Sequence, residues 1–367
     1  MRRLTIAALL SGVLLLLLTM AASSGATDTL PSGPRLAVVV SLFDEADTTE
    51  VVTIGPDGED PQTVARGAIF EPIEHFEHPN WSPDGKLLAF YVPGEETPAV
   101  ALLGADGSNL RLLRASEHPG GPDDAALPEP LFDPKTGELL VAAVHTPHGE
   151  GLFGDARPTG KAAQFRGEFW ALPVRGGGKA RRLSSRFLVS SGVFFPYSIA
   201  SNGKIAATDL GRRGFGVAVL DPRGGPIHWV VPTTTQKEGS LEPAISPDGT
   251  QIVYKVDNQK EVHDRRSLVS TDLMIVPAAG GKPKRLARIK GGAAWPAWDP
   301  SGSRIAFTTL NAVGAEDAPG AREGNALMEI NPDGTCLTKM FALGRRGLVE
   351  GAAWQPGAER GAGPISC

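Results

Sequence analysis

Short apolar segments, each preceded by a tight polar turn, recur along most of this chain. In the clearest example an approach strand ends in Trp81, the turn Ser82-Pro83-Asp84-Gly85 follows, and an apolar strand runs over Lys86–Val92. A third strand (Ala99–Leu103), a second Asp-Gly turn and a fourth strand (Asn109–Leu113) come next. This pattern predicts a four-stranded antiparallel meander.

Degenerate copies of the first turn recur down the chain. They are Phe132-Asp133-Pro134, Ile199-Ala200-Ser201 (which lacks the proline), Ile245-Ser246-Pro247, Trp298-Asp299-Pro300 and Trp354-Gln355-Pro356. The successive spacings are 51, 67, 46, 53 and 56 residues. A period of that size is typical of a blade-type or solenoid repeat.

The turns and the strands after them indicate the kind of sheet. Proline presets φ at the first central turn position, and glycine takes the left-handed position that lets the strands pair again. The segments that follow, such as KLLAFYV, ELLVAAV and QIVYKV, are apolar on both faces. Sheets covered on both sides produce such runs. No helical pattern is evident after the amino-terminal segment.

The two ends of the repeat region are complementary. Arg35–Phe43 has the pattern of a second strand with no first strand before it, whereas Glu350–Gly357 has that of a first strand and turn with no second strand after it. Joined, they complete one blade and remove the exposed edges of an open array. The sequence therefore predicts an all-β, six-bladed β-propeller closed by a blade shared between the N- and C-terminal ends. A β-sandwich of unrelated hairpins does not explain two complementary half-repeats.

The amino terminus has the pattern of a secretory signal. Arg2 and Arg3 precede an uncharged run, Leu4–Ala22, and small residues continue to Ala26, the expected cleavage point. The alternative is an uncleaved anchor, because the run is long enough to span a bilayer. The predicted organisation is a signal peptide at 1–26, a linker at 27–34, the propeller at 35–357 and a tail at 358–367. We therefore expect a periplasmic or secreted protein.

The segment WSPDGKLLAF with its Asp-Gly hairpin resembles the TolB-type (WD-like) propeller repeat, and the resemblance covers residues 35–357. It implies an architecture more than an activity. TolB itself carries an additional amino-terminal α/β domain, for which this chain leaves no room. The resemblance therefore implies a stand-alone propeller in the cell envelope or outside the cell.

Charge and cysteine content narrow the choice of partners. The formal net charge is −5, from 36 basic and 41 acidic residues. A negative balance argues against nucleic acid as a partner and against an anionic membrane surface, so membrane contact is expected only through an uncleaved leader. Cys336 and Cys367 allow a single bridge that pins the tail to the last repeat, or two unpaired thiols. Both alternatives are open.

Long, irregular segments predict the working face. They are His145–Glu168, Asp257–Thr271 and Asn311–Asn325. All three lie between the second and third strands of their blades, so they are expected on one face of the propeller. The candidate binding residues on this face are His145, His148, Arg157, Arg166, His263 and Arg265. The His-x-x-His spacing suits a divalent metal, although histidines and charges in such loops are more often solvated.

The mouth of the axial channel is a second candidate site. The residues that lead into the first strands are Glu77, His78, Glu129, Glu242, Trp295 and Glu350. Converging acids would form a negative funnel for a divalent cation or the basic end of a partner. The alternative is that each glutamate accepts hydrogen bonds where its own blade begins. The recurring aromatic at Trp81, Phe132, Trp298 and Trp354 is expected to pack between blades.

No catalytic residue is predicted, because no nucleophile–base motif such as G-x-S-x-G occurs in the chain. The favoured function is a non-enzymatic scaffold of the cell envelope that binds a protein or another ligand through the loop face and the channel mouth. The alternative is a metal-assisted polysaccharide lyase or a glycan-binding propeller that uses the channel. Only His78 stands at an expected axial position, which weighs against the lyase. No cofactor is expected beyond the candidate divalent cation.

Overall fold

Twenty-five strands make up the described part of the chain, and that part contains no α-helix. A computed structural model of the protein describes residues 35–42, 49–66, 79–92, 99–113, 125–145, 165–174, 178–184, 187–189, 194–211, 214–236, 241–262, 265–310, 325–344, 347–357 and 363–367. The strands form six antiparallel sheets, which we number as blades 1–6 in chain order. The predicted signal peptide and linker lie outside the described residues.

The strands of each blade follow one another from the innermost to the outermost. Blade 1 contains β25 (Gly347–Trp354), β1 (Leu36–Leu42), β2 (Thr49–Ile54) and β3 (Gln62–Arg66); blade 2 contains β4 (Asn80–Trp81), β5 (Leu87–Val92), β6 (Ala99–Gly104) and β7 (Arg111–Leu113). Blade 3 contains β8 (Ala125–Phe132), β9 (Leu139–His145), β10 (Phe165–Leu172) and an outer strand in two pieces, β11 (Arg181–Arg182) and β12 (Phe187–Val189). Blade 4 contains β13 (Phe194–Ile199), β14 (Ile205–Gly211), β15 (Gly214–Leu220) and β16 (His228–Gln236). Blade 5 contains β17 (Ala244–Ile245), β18 (Gln251–Val262), β19 (Arg265–Pro277) and β20 (Lys284–Lys290); blade 6 contains β21 (Ala293–Trp298), β22 (Ile305–Thr309), β23 (Ala326–Ile330) and β24 (Thr338–Ala342).

The six sheets form a ring. Each inner strand contacts the inner strands of both neighbouring blades, in the order β25, β4, β8, β13, β17, β21 and back to β25. The predicted all-β, six-bladed propeller is therefore confirmed. Within blade 1, β25 pairs antiparallel with β1, from Leu36 opposite Trp354 to Leu42 opposite Gly347.

One predicted loop is wrong. The sequence pattern predicts an irregular segment at Asp257–Thr271, but β18 and β19 continue through it as a paired hairpin that ends with Val262 opposite Arg265. The sequence is polar and charged there, which is typical of loops, yet a two-stranded ribbon can carry the same composition. The other two predicted loops are largely residues 146–164 and 311–324, outside the described part.

Aspartate recurs in the turns because its side chain bonds to its own backbone. The carboxylate of Asp106 accepts from Ser108 N at 3.0 Å, that of Asp248 from Thr250 N at 3.0 Å, and that of Asp333 from Thr335 N at 2.8 Å. In blade 4 the amide oxygen of Asn202 makes the same bond to Lys204 N at 2.9 Å. These Asx turns fix the hairpins locally.

Glycine in the Asp-Gly turns serves a second purpose at the seams between blades. Gly58, Gly107 and Gly334 all have positive φ, and a Cβ on each would meet a backbone carbonyl of the preceding blade's outer strand. Those carbonyls belong to Met340, Val64 and Leu286, which occupy a bulge where the outer strand shifts register. The bulge turns its residue toward the next blade, and only glycine lets the turn approach it.

The recurring aromatic packs between blades, as predicted. Trp81 Nε1 donates to Ala353 O of blade 1 at 3.0 Å, and Trp298 Nε1 donates to Ala244 O of blade 5 at 2.9 Å. Phe132 is buried at the seam between blades 2 and 3. Trp354 is equally buried, but its Nε1 has no hydrogen-bond partner in the described structure.

The tail is fastened to blade 6. Cys336 and Cys367 form a disulfide with their Cα atoms 5.1 Å apart, which decides between the two alternatives for these cysteines. Asn331 holds Ile365 by two bonds, one from Ile365 N to Asn331 Oδ1 at 2.9 Å and one from Asn331 Nδ2 to Ile365 O at 3.0 Å. The buried Arg304 donates to Gly363 O at 2.7 Å and ion-pairs with Asp57 of blade 1 at 2.7 Å. The side chain of Arg304 therefore contacts both the tail and the seam between blades 6 and 1.

Among the described residues, no helix is long and apolar enough to cross a membrane.

Candidate functional site

The inner strands are interrupted at the predicted channel mouth. A mouth residue is followed by proline in four repeats: His78-Pro79, Glu129-Pro130, Glu242-Pro243 and Trp295-Pro296. Proline has no N–H to give to the strand ladder, so regular pairing stops or bulges there. In β21 the register shifts between Ala294 and Ala297, and in β8 it shifts between Ala126 and Leu131. Bulges of this kind re-aim side chains and are common beside functional sites.

Glu242 and Trp295 form the best-described part of the mouth. Both have left-handed backbones, with φ of 42° and 54°. Such conformations cost about 1–3 kcal/mol for residues other than glycine, so surrounding contacts must hold them. One contact is mutual, because Trp295 N donates to Glu242 Oε2 at 2.8 Å across the seam between blades 5 and 6.

A buried lysine completes the cluster. Lys255 Nζ lies 2.8 Å from Glu242 Oε1 and 3.4 Å from Asp257 Oδ2, and Lys255 is only 6% exposed. The hydroxyl of the buried Thr271 donates to Asp257 Oδ1 at 2.7 Å. Burial alone would lower the pKa of Lys255, but the charges of Glu242 and Asp257 outweigh it and the pKa is raised. Two carboxylates therefore share one fixed ammonium group.

This arrangement holds charge in place more readily than it performs chemistry. The ammonium is ion-paired with two carboxylates, so Lys255 is a poor nucleophile or base while these pairs are intact. Glu242 accepts a backbone bond from the neighbouring blade, whereas the structural alternative for the mouth glutamates places such bonds where the glutamate's own blade begins. Among the described residues, no three His, Cys, Asp or Glu side chains are grouped to hold a metal ion.

The other predicted mouth residues are described less fully. Glu77 and His78 lie outside the described residues. Glu129 belongs to the bulged stretch of β8. Glu350 is half-buried in β25 and is the extra residue of another bulge, because Val39 pairs with Gly351 and Val40 with Val349. The structure therefore brings Glu242 and Trp295 into contact and gives Glu129 and Glu350 a similar backbone setting.

The loop-face candidates divide in the same way. His145 is the last residue of β9 and pairs with Arg166 of β10, so these two backbones are adjacent. Arg265 begins β19 opposite Val262. His148, Arg157 and His263 lie outside the described residues.

Lys255 and Asp257 were missed as site residues although the sequence carries a signal for them. Lys255 is the only charged residue inside the apolar segment QIVYKV, a place where an unpaired cation would be costly. A lysine in that position implies carboxylate partners nearby. Glu242 could have been paired with it on that ground.

Solved structures with the same architecture include two TolB proteins. TolB from Acinetobacter baumannii has a TM-score of 0.56 and 15% identity, with 88% of this chain and 66% of that chain covered. A protein from Agrobacterium tumefaciens that is assigned as a TolB has a TM-score of 0.51 and 18% identity, with 87% and 93% covered. A chain of a nidogen/laminin complex has a TM-score of 0.52 and 9% identity, with 89% and 99% covered.

These likenesses show the fold, a six-bladed TolB-like β-propeller. The chain spans just under two thirds of the length of the Acinetobacter TolB chain. No protein-family model matches the chain, and no curated protein matches it either.

Proposed function

We propose that this chain is a non-enzymatic binding propeller of the cell envelope, and that it docks a protein on the face that carries the hairpin of blade 5. Two observations on other proteins support a scaffold role: the fold is that of TolB, and a similar propeller chain occurs in a nidogen/laminin complex. The predicted leader supports export. The absence of a nucleophile–base motif from the sequence supports binding without turnover.

The observation that carries the proposal is the length of the blade 5 hairpin. β18 and β19 have 12 and 13 residues, whereas the second and third strands of the other blades have between 5 and 8. The pairing that belongs to the blade ends near Asp257 and Thr271, and the strands remain paired beyond it to Val262 and Arg265. We call residues 259–269 the arm.

The arm has the properties of a docking element. Gln259 and Lys260 are exposed, and Val269 keeps 47% of its surface in contact with solvent. An antiparallel ribbon is more rigid than an irregular loop, so less entropy is lost when a partner binds it. The base of the arm is Asp257, which ties it to Lys255 and the mouth cluster. The arm therefore begins two residues after a member of the mouth cluster.

A variant without the arm tests the proposal. Asn258 and Ser270 are directly opposed, so replacing Gln259–Val269 by Asn-Gly should close a two-residue hairpin, at the cost of the single bond from Gly291 N to Val269 O. Wild type and variant are each immobilised on beads and incubated with an envelope extract that has been mildly crosslinked. We expect a partner captured by wild type and lost by the variant.

The control is Lys135→Gln, an exposed position on the tight-turn face. It should capture the same partner as wild type. Thermal unfolding checks that the shortened protein is folded. Equal capture by all three proteins would contradict the arm as the docking element.

The predicted cation at the channel mouth is tested separately. Ca²⁺ and Mn²⁺ are titrated against the full chain, against Glu242→Gln and against Glu129→Gln, with the unfolding temperature as readout. Stabilisation of wild type that both variants lose would support a bound ion. Equal responses in all three proteins would remove the mouth glutamates as ligands.

A further inference from the structure

The outer edge of blade 5 carries a dense group of cations on an acidic protein. Lys282, Lys284, Arg285, Arg288 and Lys290 lie within nine residues, and all five are exposed. No carboxylate occurs in the chain between Asp272 and Asp299. The whole chain has a net charge of −5, so this edge is a local reversal of sign.

The strand geometry places these cations at the perimeter of the propeller. β20 is the outermost strand of blade 5 and pairs only with β19 within the described chain. Its two buried apolar residues, Leu286 and Ile289, pack toward blade 6. The remaining side chains of β20, apart from the half-buried Ala287, are the cations.

Few carboxylates neutralise the group. Arg288 makes two bonds to Asp272, at 2.6 and 2.7 Å, and Arg285 approaches the same carboxylate at 3.3 Å. Lys284 Nζ donates to the backbone oxygen of Asp333 at 2.8 Å. In the described part of the chain, Lys282 and Lys290 have no ion-pair partner. Asp272 thus orients two guanidinium groups while two ammonium groups stay available.

Edge protection does not require this much charge. A single lysine or arginine on an edge strand already discourages pairing between molecules. The outer strands β3, β7 and β24 each carry one cation (Arg66, Arg111 and Lys339), and β16 carries none. The two arginines of β11 are both engaged, with Glu138 and Glu168. Among these outer edges, as far as the structure describes them, only that of blade 5 carries five cations within nine residues, and two of them have no ion-pair partner.

We propose that the outer edge of blade 5, β20 with Lys282, docks an acidic, extended segment of a partner protein as an additional strand. Apart from the bulge at Leu286, whose carbonyl faces the Gly334 turn of blade 6, the edge offers backbone N–H and C=O groups to an extended chain, and the cations offer charge complementarity to its carboxylates. A short acidic segment interacts mainly with the nearby cations, because charges farther away than about 8 Å are screened at physiological salt. A long polyanion would also meet the acidic remainder of the surface. This surface is separate from the channel mouth and does not depend on it.

Peptide binding to the full chain tests the proposal. The probe is a fluorescent ten-residue peptide that alternates glutamate and threonine, followed by anisotropy at 50 and 150 mM salt. A second peptide has alternate backbone nitrogens methylated, and a third has glutamine in place of glutamate. We expect the first peptide to bind, and each modified peptide to bind at least tenfold more weakly.

The protein variants locate the site. Lys282→Gln/Lys290→Gln removes the two unpaired cations and leaves the Asp272 network intact, so the fold should be retained. We expect about tenfold weaker binding of the acidic peptide. The matched control, Lys86→Gln/Lys135→Gln, removes two exposed lysines of the tight-turn face and should bind like wild type.

Three results would overturn the proposal. Unchanged binding by Lys282→Gln/Lys290→Gln would place the peptide elsewhere. Equal binding of the methylated peptide would exclude strand addition. Binding of a heparin oligosaccharide without binding of the acidic peptide would identify an anionic glycan as the occupant instead.

Discussion

The tight-turn face and the mouth of blade 5 are built in opposite ways. On the tight-turn face the same contacts recur from blade to blade: an Asx turn in blades 2 to 6, a glycine against the preceding blade's bulge in blades 1, 2 and 6 and, at two of the described seams, a tryptophan N–H bonded to a carbonyl of the neighbouring blade. At the mouth, Glu242, Lys255, Asp257 and Trp295 form a cluster that the structure describes only at the seam between blades 5 and 6. Repetition distributes stability around the ring. A contact made once, with strained backbone and buried charge, is more typical of a site where binding is favoured over stability.

Removing the lysine of the mouth cluster should have the largest effect. Lys255→Met leaves Glu242 and Asp257 buried without their shared ammonium group, and we expect a loss of about 3–5 kcal/mol in the free energy of unfolding. Urea denaturation measures it. Because the folded pKa of Lys255 is raised, its contribution is fully present below the unfolded pKa and is lost only as the pH rises through the folded value. The difference from wild type should therefore be constant between pH 7 and pH 9.

The exposed Lys135→Met is the control for this experiment, with an expected change within about 0.5 kcal/mol. A Lys255→Met protein as stable as the control would show that the cluster contributes no net stability.

Replacing a glycine at a seam between blades should have the second-largest effect on stability. Gly107→Ala needs a left-handed alanine and drives its Cβ into the carbonyl of Val64, so we expect a cost of about 2–4 kcal/mol. Gly137→Ala shares the positive φ, but nothing lies within 4 Å of its Cβ, so only the backbone strain of about 1–2 kcal/mol remains. Chemical denaturation of both variants separates close approach from strain. Equal costs would mean that the seam yields to the extra methyl group.

Two tryptophans at equivalent positions offer a smaller contrast. Trp81 and Trp354 are both 7% exposed, but only the indole of Trp81 has a hydrogen-bond partner in the described structure. Replacing either by phenylalanine removes the same ring volume. Trp81→Phe should cost about 1 kcal/mol more than Trp354→Phe, because it also leaves Ala353 O without its donor. Thermal unfolding of the two variants checks the order, and a reversed order would contradict the assigned bond.

The turn aspartates should give the smallest effect. Hydrogen bonds from the hydroxyl of Ser246 and from Thr250 lower the pKa of Asp248. A lowered folded pKa means that its stabilising contribution is present above the unfolded pKa, near 3.9, and is lost as the pH falls through the folded value. Asp248→Asn keeps the Asx turn, as Asn202 does in blade 4, but removes the titration. Its unfolding free energy should fall less than that of wild type between pH 4 and pH 2.

The architecture was predictable because short local sequence patterns determine it. The turn at Pro83 and its copies give the blade count from spacing alone, and the incomplete repeats at residues 35–43 and 350–357 correspond to β1 and β25, which pair in one sheet. Such signals need only neighbouring residues. The strand boundaries differ from the predicted ones by no more than three residues in the clearest repeat and at both ends of the propeller.

The site was less predictable because it depends on residues brought together by the ring. The sequence identifies Glu242 and Trp295 as mouth residues, but their contact requires the seam between blades 5 and 6. The sequence predicts a loop where the arm forms, because the charged segment has no apolar face to indicate a strand. The excess cations of β20 are visible in the sequence. Their importance depends on knowing that this strand is the outer edge of its blade.

The pairing of β25 with β1 has a consequence for synthesis. Residues 36–40 are almost completely shielded from solvent in the finished molecule, partly by a strand that is translated only after the other five blades. Until Gly347–Trp354 has emerged, the apolar segment LAVVVSL has one open edge and little cover. A nascent or prematurely terminated chain is therefore exposed to mispairing at its amino-terminal strand, and ring completion is a late, long-range step of folding. Protection of that single strand during translation is a requirement that this topology places on the cell.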